Sequence, residues 1–264
     1  MESRGAHLSG FHMLDRIPPR TPYQGFAQIF NYNRSFYLRT AAGAIFAILL
    51  SAYAPEPLRF VILFGAGIAV FWTCSSLLVS HYVYDLSALY RFHWLRGCLS
   101  RPPRRWIHLH AGVDDSSLAI RSMFPGSEGQ VLDIYNPRKM SEPSIRRARR
   151  VAGVSSTSTG WQTLLASGDD FDAAFLIFAA HELRHPEDRV QLFRELTRVL
   201  CDAGELVLVE HLRDWANFLA FGPGFFHFFS NDAWEAAANS AGLRIALHRT
   251  VTPFVHVFVL RKLQ

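Results

Sequence analysis

Apolar residues are concentrated in one part of this chain before they become periodic in the rest. From Leu58 to Val79 the sequence runs LRFVILFGAGIAVFWTCSSLLV, with Arg59 as its sole charge. A helix over that stretch is about 33 Å long, against a bilayer core of about 30 Å. The preceding run, Thr40 to Ala54, reaches spanning length when extended back to Phe36. That extension brings in Arg39 near a helix end, where an arginine can snorkel to the headgroups. Pro55-Glu56-Pro57 turns the chain between the two runs. The pattern predicts a transmembrane helical hairpin over 36–84. Arg34 and Arg39 precede it, and Arg91, Arg96, Arg101, Arg104 and Arg105 follow it, while the connecting turn carries only Glu56 and Arg59. By the positive-inside rule this predicts a two-pass membrane protein with both ends cytoplasmic. A buried helical pair in a soluble protein is the alternative reading of the same runs. Met1 to Asn33 has no apolar h-region, which argues against a secretory signal peptide.

Past the hairpin the hydrophobic period changes. His81 to Pro103 is rich in Tyr, Trp and Arg, a mixture suited to a membrane interface. Strand-like and helix-like segments then alternate. Strands are predicted over 106–110, 129–134, 171–180, 205–210, 243–251 and 256–260. Helices are predicted over 116–124, 144–152, 187–200 and 231–241, with Ser116 or Asp115 and Asn231 or Asp232 as caps. This alternation predicts an α/β fold, a Rossmann-like doubly wound sheet, mostly parallel with a closing antiparallel hairpin. The organisation read from sequence is therefore a cytoplasmic N-terminal segment (1–35), the hairpin (36–84), an interfacial linker (85–104) and the α/β domain (105–264).

Composition sharpens this. Of 264 residues, 50% are hydrophobic and 19% charged, which excludes a disordered chain. Three cysteines at unrelated spacings (Cys74, Cys98, Cys201) suggest neither a disulfide scaffold nor a metal knuckle. The net charge of +5 is explained by the arginines flanking the hairpin. The run Arg146, Arg147, Arg149, Arg150 has no interleaved stacking aromatics, so no nucleic-acid partner is expected.

Doubly wound sheets bind ligands beyond the carboxyl ends of their strands. The first strand ends in HLHAGVD (108–114), and Asp133 ends the second, about 20 residues after Gly112, the interval at which an acid meets a ribose. Downstream come VLDIYNPRKMSEPSIRRARR (131–150), FDAAFLIFAAHELRH (171–185), FRELTRVLCDAGELVLVEH (193–211) and AWEAAANSAGLRI (233–245). On these blocks the region from about Arg105 to Lys262 resembles the class I S-adenosylmethionine-dependent methyltransferases, most closely the ubiquinone/menaquinone branch. The resemblance implies S-adenosylmethionine as cofactor, held by His108, His110, Gly112, Asp114, Asp133, Ile134 and Ala180. The chain departs from the family's glycine loop at His108, His110 and Asp114, and Ala203 replaces one glycine of a later pair. Val151 to Gly168 shows no clear third strand, so no adenine-contacting acid is assigned.

The same resemblance places His181 and Glu182 after the fourth strand of the family and Glu210 and His211 after the fifth, so His181, Glu182 and His211 are the expected catalytic residues. His181 or His211 is the candidate base, because an unperturbed imidazole titrates near neutral pH. Glu210, Arg213, Asp214, Asn217 and His227 are the expected substrate contacts, the last two as polar groups in an aromatic loop, NFLAFGPGFFHFF (217–229). That loop beside a membrane hairpin predicts a lipophilic small-molecule acceptor. His181-Glu182-Leu183-Arg184-His185 also matches a zincin pattern, and a membrane-anchored zinc metalloprotease is the rival. Against it stands Pro186, which pushes His185 out of helical geometry. No metal is expected under the methyltransferase reading, and a non-catalytic, methyltransferase-like binding protein is the third alternative.

Overall fold

A computed structural model describes residues 20–152, 160–161, 164 and 168–263. The chain opens with a long helix, α1 (Gln24–Ser51), a short turn, and α2 (Glu56–His81). The two run antiparallel, joined at one end by the Tyr37–Ser76 hydroxyl contact at 3.0 Å. Near the start of α1, Asp85 accepts hydrogen bonds from the backbone N–H groups of Gly25 and Phe26 at 2.6 and 3.0 Å. It thereby caps two donors that no helix can satisfy internally. Gly25 is required there, because a Cβ would stand 2.3 Å from the Cβ of Tyr84.

Among the described residues one helical run, Glu56–Arg91, is long and apolar enough to cross a membrane, and only 11% of its most apolar stretch is buried. A core helix of a soluble protein is mostly buried as a rule. Phe46, Leu49, Phe60, Phe64 and Leu78 all lie exposed on the pair. The first helix starts well before Phe36, so residues 24–35, expected in a separate N-terminal segment, are helical and continuous with it. Asn31, Asn33, Arg34 and Arg39 interrupt its hydropathy without interrupting its backbone.

The α/β part has six strands in the order β2-β1-β3-β4-β6-β5. They are β1 (Arg105–His110), β2 (Glu128–Asp133), β3 (Phe171–Ile177), β4 (Leu200–Glu210), β5 (Leu243–Thr252) and β6 (Val255–Lys262). β1 to β4 pair in parallel and β6 closes the sheet antiparallel to β4 and β5. Val151 to Gly168, where the sequence shows no clear strand, falls largely outside the described residues.

The two faces of the sheet are covered differently. Ile107, Leu109, Leu206 and Leu208 pack under α5 (Pro186–Val199) and α7 (Asn231–Ser240), through Leu192, Phe193 and Trp234. The other face, carrying Trp106, Phe175, Val207 and Val257, meets α3 (Ser117–Met123) and the segment 82–98. Residues 85–104, expected as an interfacial linker, take part in this packing. Leu89, Leu95 and Cys98 are buried in that second core, and Trp94 Nε1 donates to the Leu89 carbonyl at 2.8 Å. Tyr and Trp suit an interface and a core equally well, and here the core takes them.

The aromatic stretch after β4 also differs from expectation. It is no loop: α6 (Trp215–Phe221) is capped by Asp214, whose carboxylate accepts from the Asn217 N–H at 2.9 Å, and a 3-10 turn follows over Gly222–His227. α6 packs on the apolar helix α2, with Phe218 and Trp72 rings 5.5 Å apart and Ser75 Oγ donating to the Leu219 carbonyl. Gly222 closes this contact at φ +53°, where a Cβ would lie 2.4 Å from the Trp72 ring. Gly222→Ala is expected to destabilise the chain by about 1–3 kcal/mol through that clash, read as a lowered Tm in detergent. An unchanged Tm would mean that α6 does not pack tightly on α2.

Candidate active site

The chain leaves β1 toward β2 on one side and later returns to the other side of β1 as β3. That reversal opens a crevice at the carboxyl ends of β1 and β3. A cleft occupies it. Its floor is the loop after β1 (His110, Gly112, Asp115) and the turn after β3 (Phe178, His181, Glu182). Its lid comes from Gln28, Ile29 and Tyr32 of α1 together with Tyr84 and Tyr90. The hairpin's first helix is thus part of the site. Phe178 has φ +50°, a strained conformation for an aromatic residue and common where a site over-determines the backbone.

Of the expected cofactor residues, His110 and Gly112 line this cleft. The His110 Nδ1 is buried with no partner, and burial pushes its imidazole below the ordinary value. Gly112 need not be glycine, since a Cβ would meet Ile145 only at 3.5 Å. The others are placed elsewhere. His108 is fully buried, with Nδ1 against the Phe175 carbonyl at 3.1 Å and Nε2 near Ser116 Oγ and Asp114. Asp114 turns back to cap α3, accepting from the N–H groups of Ser116 and Ser117. Burial alone would raise its carboxyl, yet the His108 and Ser117 hydrogen bonds hold it well below the usual range. Ile134 is wholly buried in the core, and Ala180 is buried with its N–H donating to Glu210. Backbone direction, not spacing, decides these four.

Asp133 does end β2, but its carboxylate is gripped by Arg149 of α4 (Pro143–Ala152) in a two-point pair at 3.0 and 2.8 Å. Both side chains are about nine-tenths buried, and Arg149 also donates to the Ala111 carbonyl and stacks on Tyr135. Arg149 belongs to the basic run Arg146, Arg147, Arg149, Arg150. It is a buried partner of the candidate ribose acid.

The catalytic candidates divide likewise. His181 Nδ1 donates to Glu210 Oε2 at 2.7 Å, and its Nε2 lies 3.5 Å from Glu182 Oε1. Burial lowers its pKa, but Glu210 and Glu182 outweigh that and push it up to about 10. The two carboxylates that raise it stand on either side of the ring, Glu210 at Nδ1 and Glu182 at Nε2. Glu210 is not a substrate contact: it is buried and also accepts the backbone N–H groups of Ala180 and His181.

His211 is buried behind the cleft wall, its Nδ1 donating to the Phe254 carbonyl at 2.7 Å and its Nε2 accepting from Tyr84 Oη at 2.8 Å. The tautomer follows from those partners. Burial, chiefly, pushes it down to about 4, so it stays neutral. Arg213 donates to the Phe226 and Phe228 carbonyls, and Asp214 caps α6 and pairs with His256 at 2.9 Å. Asn217, fully buried, binds Asp214 and the Phe254 carbonyl. These three hold the α6 segment together, and none of them lines the cleft. His227 reaches the site: its ring sits edge-on to His181 with centroids 5.3 Å apart, and burial pushes it down to about 3.

His211 yields a pH prediction. In the unfolded chain it takes a proton near 6.5, whereas folded it resists until about 4. The unfolded state binds more protons across that window. Stability is thus full above about pH 6.5 and falls by about 3 kcal/mol as pH drops toward 4. Denaturant titrations at stepped pH measure it. A His211→Gln variant with an equally steep acid limb would contradict the assignment.

The zincin helix is not formed. Ala180–Glu182 is a single 3-10 turn, Leu183 is extended, and His185 precedes Pro186 in extended geometry as the cap of α5. His181 and His185 do not share a helical face.

The lid residues Tyr32, Tyr84 and Tyr90, together with Asp115 and Arg149, were missed by sequence reasoning. Only Asp115, one residue past the expected loop, carried a local signal.

No family model matches the sequence, and no curated protein matches it. Solved structures do. Human N-acetylserotonin methyltransferase, determined in complex with SAM, is similar with a TM-score of 0.56 at 12% identity, over 92% of this chain and 72% of that one. A SAM-dependent methyltransferase from Aquifex aeolicus gives 0.49 at 16% identity, over 67% and 93% of the two chains. One from Methanosarcina mazei gives 0.48 at 18%, over 65% and 97%. At these identities the likeness is one of fold. A mostly parallel sheet with an antiparallel closing hairpin, and a cleft at the β1/β3 reversal, give this chain the class I methyltransferase fold.

Proposed function

We propose that the chain is an S-adenosylmethionine-dependent methyltransferase, anchored in a membrane by α1 and α2, which methylates a lipophilic small molecule. The observation that carries this reading is the position of the cleft. It lies at the strand ends where this fold binds ligands, and its lid is the first helix of the apolar pair.

The residues present fit the cofactor. His110 Nδ1 is a buried polar atom with no partner, and its residue lines the cleft. A buried donor or acceptor left unsatisfied costs about 1–3 kcal/mol, so a polar ligand there offsets a standing penalty. His110, Gly112 and Asp115 would hold the cofactor's near side, with Asp133 reaching the ribose as Arg149 yields one of its two hydrogen bonds. The cofactor supplies an electrophilic methyl group. The chain supplies alignment: the Glu210–His181 pair fixes the turn after β3, and Tyr32 and Tyr90 cover the cleft against water.

Membrane anchoring is supported by the exposed apolar run in α2 and by α6, which packs on that helix and leaves Trp215, Leu219 and Phe226 exposed. An aromatic, apolar surface continuous with a spanning helix suits the headgroup boundary. An acceptor partitioned in the bilayer would reach the cleft from there. The test is methyl transfer from radiolabelled cofactor, by protein reconstituted in vesicles, to short-chain quinols or isoprenoid phenols against water-soluble analogues. Label in the lipid-soluble acceptors supports the proposal, whereas transfer only to water-soluble ones counts against the membrane route.

A further inference from the structure

One cluster at the edge of the cleft asks for a positive partner. His181, Glu182 and His227 each present a ligand atom, and these atoms lie within 4.8 Å of one another. They come from the turn after β3 and from the 3-10 turn after α6, segments that sequence spacing does not connect. Glu210 accepts a hydrogen bond from His181 Nδ1–H at 2.7 Å, which aims Nε2 at the cluster, 3.5 Å from Glu182 Oε1. The Glu182 side chain is nine-tenths buried, and its Oε2 has no hydrogen-bond partner.

We infer that His181 Nε2, Glu182 and His227 hold one divalent transition-metal ion of the zinc class, with Glu210 positioning His181 from behind. Two imidazoles and one carboxylate, with a position left open, form a donor set typical of catalytic zinc. A carboxylate behind a ligating histidine fixes the ring and raises its basicity. The charges agree. Glu182 and Glu210 bring two negative charges, and the neighbouring cation is Arg184, which donates to the His181 and His227 carbonyls at 3.2 and 2.7 Å. A dication is therefore accommodated. Ligands about 2.1 Å from a tetrahedral ion stand about 3.4 Å apart, so rotamer adjustments of an ångström or so complete the site. His185 plays no part, since it caps α5. The motif His-Glu-x-x-His thus contributes its first two residues, and the third ligand comes from beyond α6.

His181 and Glu182 line the cleft, so the open position faces it. The ion would take an oxygen of the acceptor there as a Lewis acid. That role rests on the methyltransferase reading; the ion site itself does not.

The test uses the full-length chain in detergent, stripped with a chelator and titrated with Co2+ alone, then Zn2+, without cofactor. The expected result is one equivalent of Co2+ with the visible absorption of a four- or five-coordinate ion, displaced by Zn2+. Glu182→Gln and His227→Ala each weaken binding about tenfold or more, Glu210→Gln weakens it about 10–100-fold, and His185→Ala leaves it unchanged. Absence of a stoichiometric ion overturns the inference, as does wild-type binding by Glu182→Gln or His227→Ala, or a loss on His185→Ala. If His227→Ala does not fold, the near-isosteric Glu182→Gln and the Co2+ spectrum decide. Cofactor binding is measured separately. Binding of cofactor without metal sinks this inference alone, and metal without cofactor sinks the methyltransferase reading alone.

Discussion

Asp133→Ala is expected to lower stability by about 3–5 kcal/mol, because it leaves the Arg149 guanidinium buried without its carboxylate. A loss of that size is a large share of a typical folding free energy of about 5–15 kcal/mol. Arg149→Met removes the opposite charge and leaves Asp133 with the Tyr135 N–H but without its guanidinium, so it too destabilises. The double variant should cost much less than the sum, since neither charge is then left alone. Denaturant unfolding of the four proteins gives the coupling. Additive losses would show that the pair is held by its other partners instead.

The same cycle separates structure from ligand recognition. Arg149→Met keeps the ribose acid and removes its competitor, so cofactor binding should be kept or tightened. Asp133→Ala should bind cofactor at least tenfold more weakly at a temperature where it stays folded, the loss of about one charge-assisted hydrogen bond. Normal binding by Asp133→Ala would move the ribose elsewhere.

Deleting the chain before residue 99 is expected to leave an α/β fragment that does not fold. Leu89, Phe92 and Leu95 are each 2% exposed or less. Burying a side chain of that kind contributes about 1.5–3 kcal/mol, so stripping three of them removes most of a domain's stability. The face carrying Trp106, Phe175, Val207 and Val257 would then lie open to water. Near-ultraviolet circular dichroism and size-exclusion chromatography report the outcome. A monomeric fragment with fixed aromatic signals would restore the view that residues 85–104 are only a linker.

The alternation of strands and helices was legible from the chain's period. β1, β5 and β6 fall within a residue or two of their expected ends, because period-two patterns bounded by Gly and Pro are local signals. Local too was the effect of Pro186, which keeps His181 and His185 off one helix. Three features were hidden. The start of α1 is polar in sequence yet forms a cleft lid through Gln28, Ile29 and Tyr32 and packs on α4, where Arg147 bonds the Tyr32 carbonyl. The segment 82–98 has interface-like composition, but its register against the sheet is a tertiary fact. The pairing of Asp133 with Arg149 and the meeting of His181 with His227 depend on crossings that no spacing rule carries. One miss was avoidable: Asp214 followed by Asn217, Phe218 and Phe221 is a cap ahead of helical apolar spacing, and it marks α6.

The central claim is that the cleft at the β1/β3 reversal holds S-adenosylmethionine. Calorimetric titration of the full-length, detergent-solubilised protein with that cofactor tests it most directly. The account predicts saturable one-to-one binding, competed by S-adenosylhomocysteine and weakened on displacing the cleft's lid with Gly25→Leu, which pushes α1 off Tyr84. No heat of binding up to millimolar cofactor, from protein shown to be folded, would contradict it.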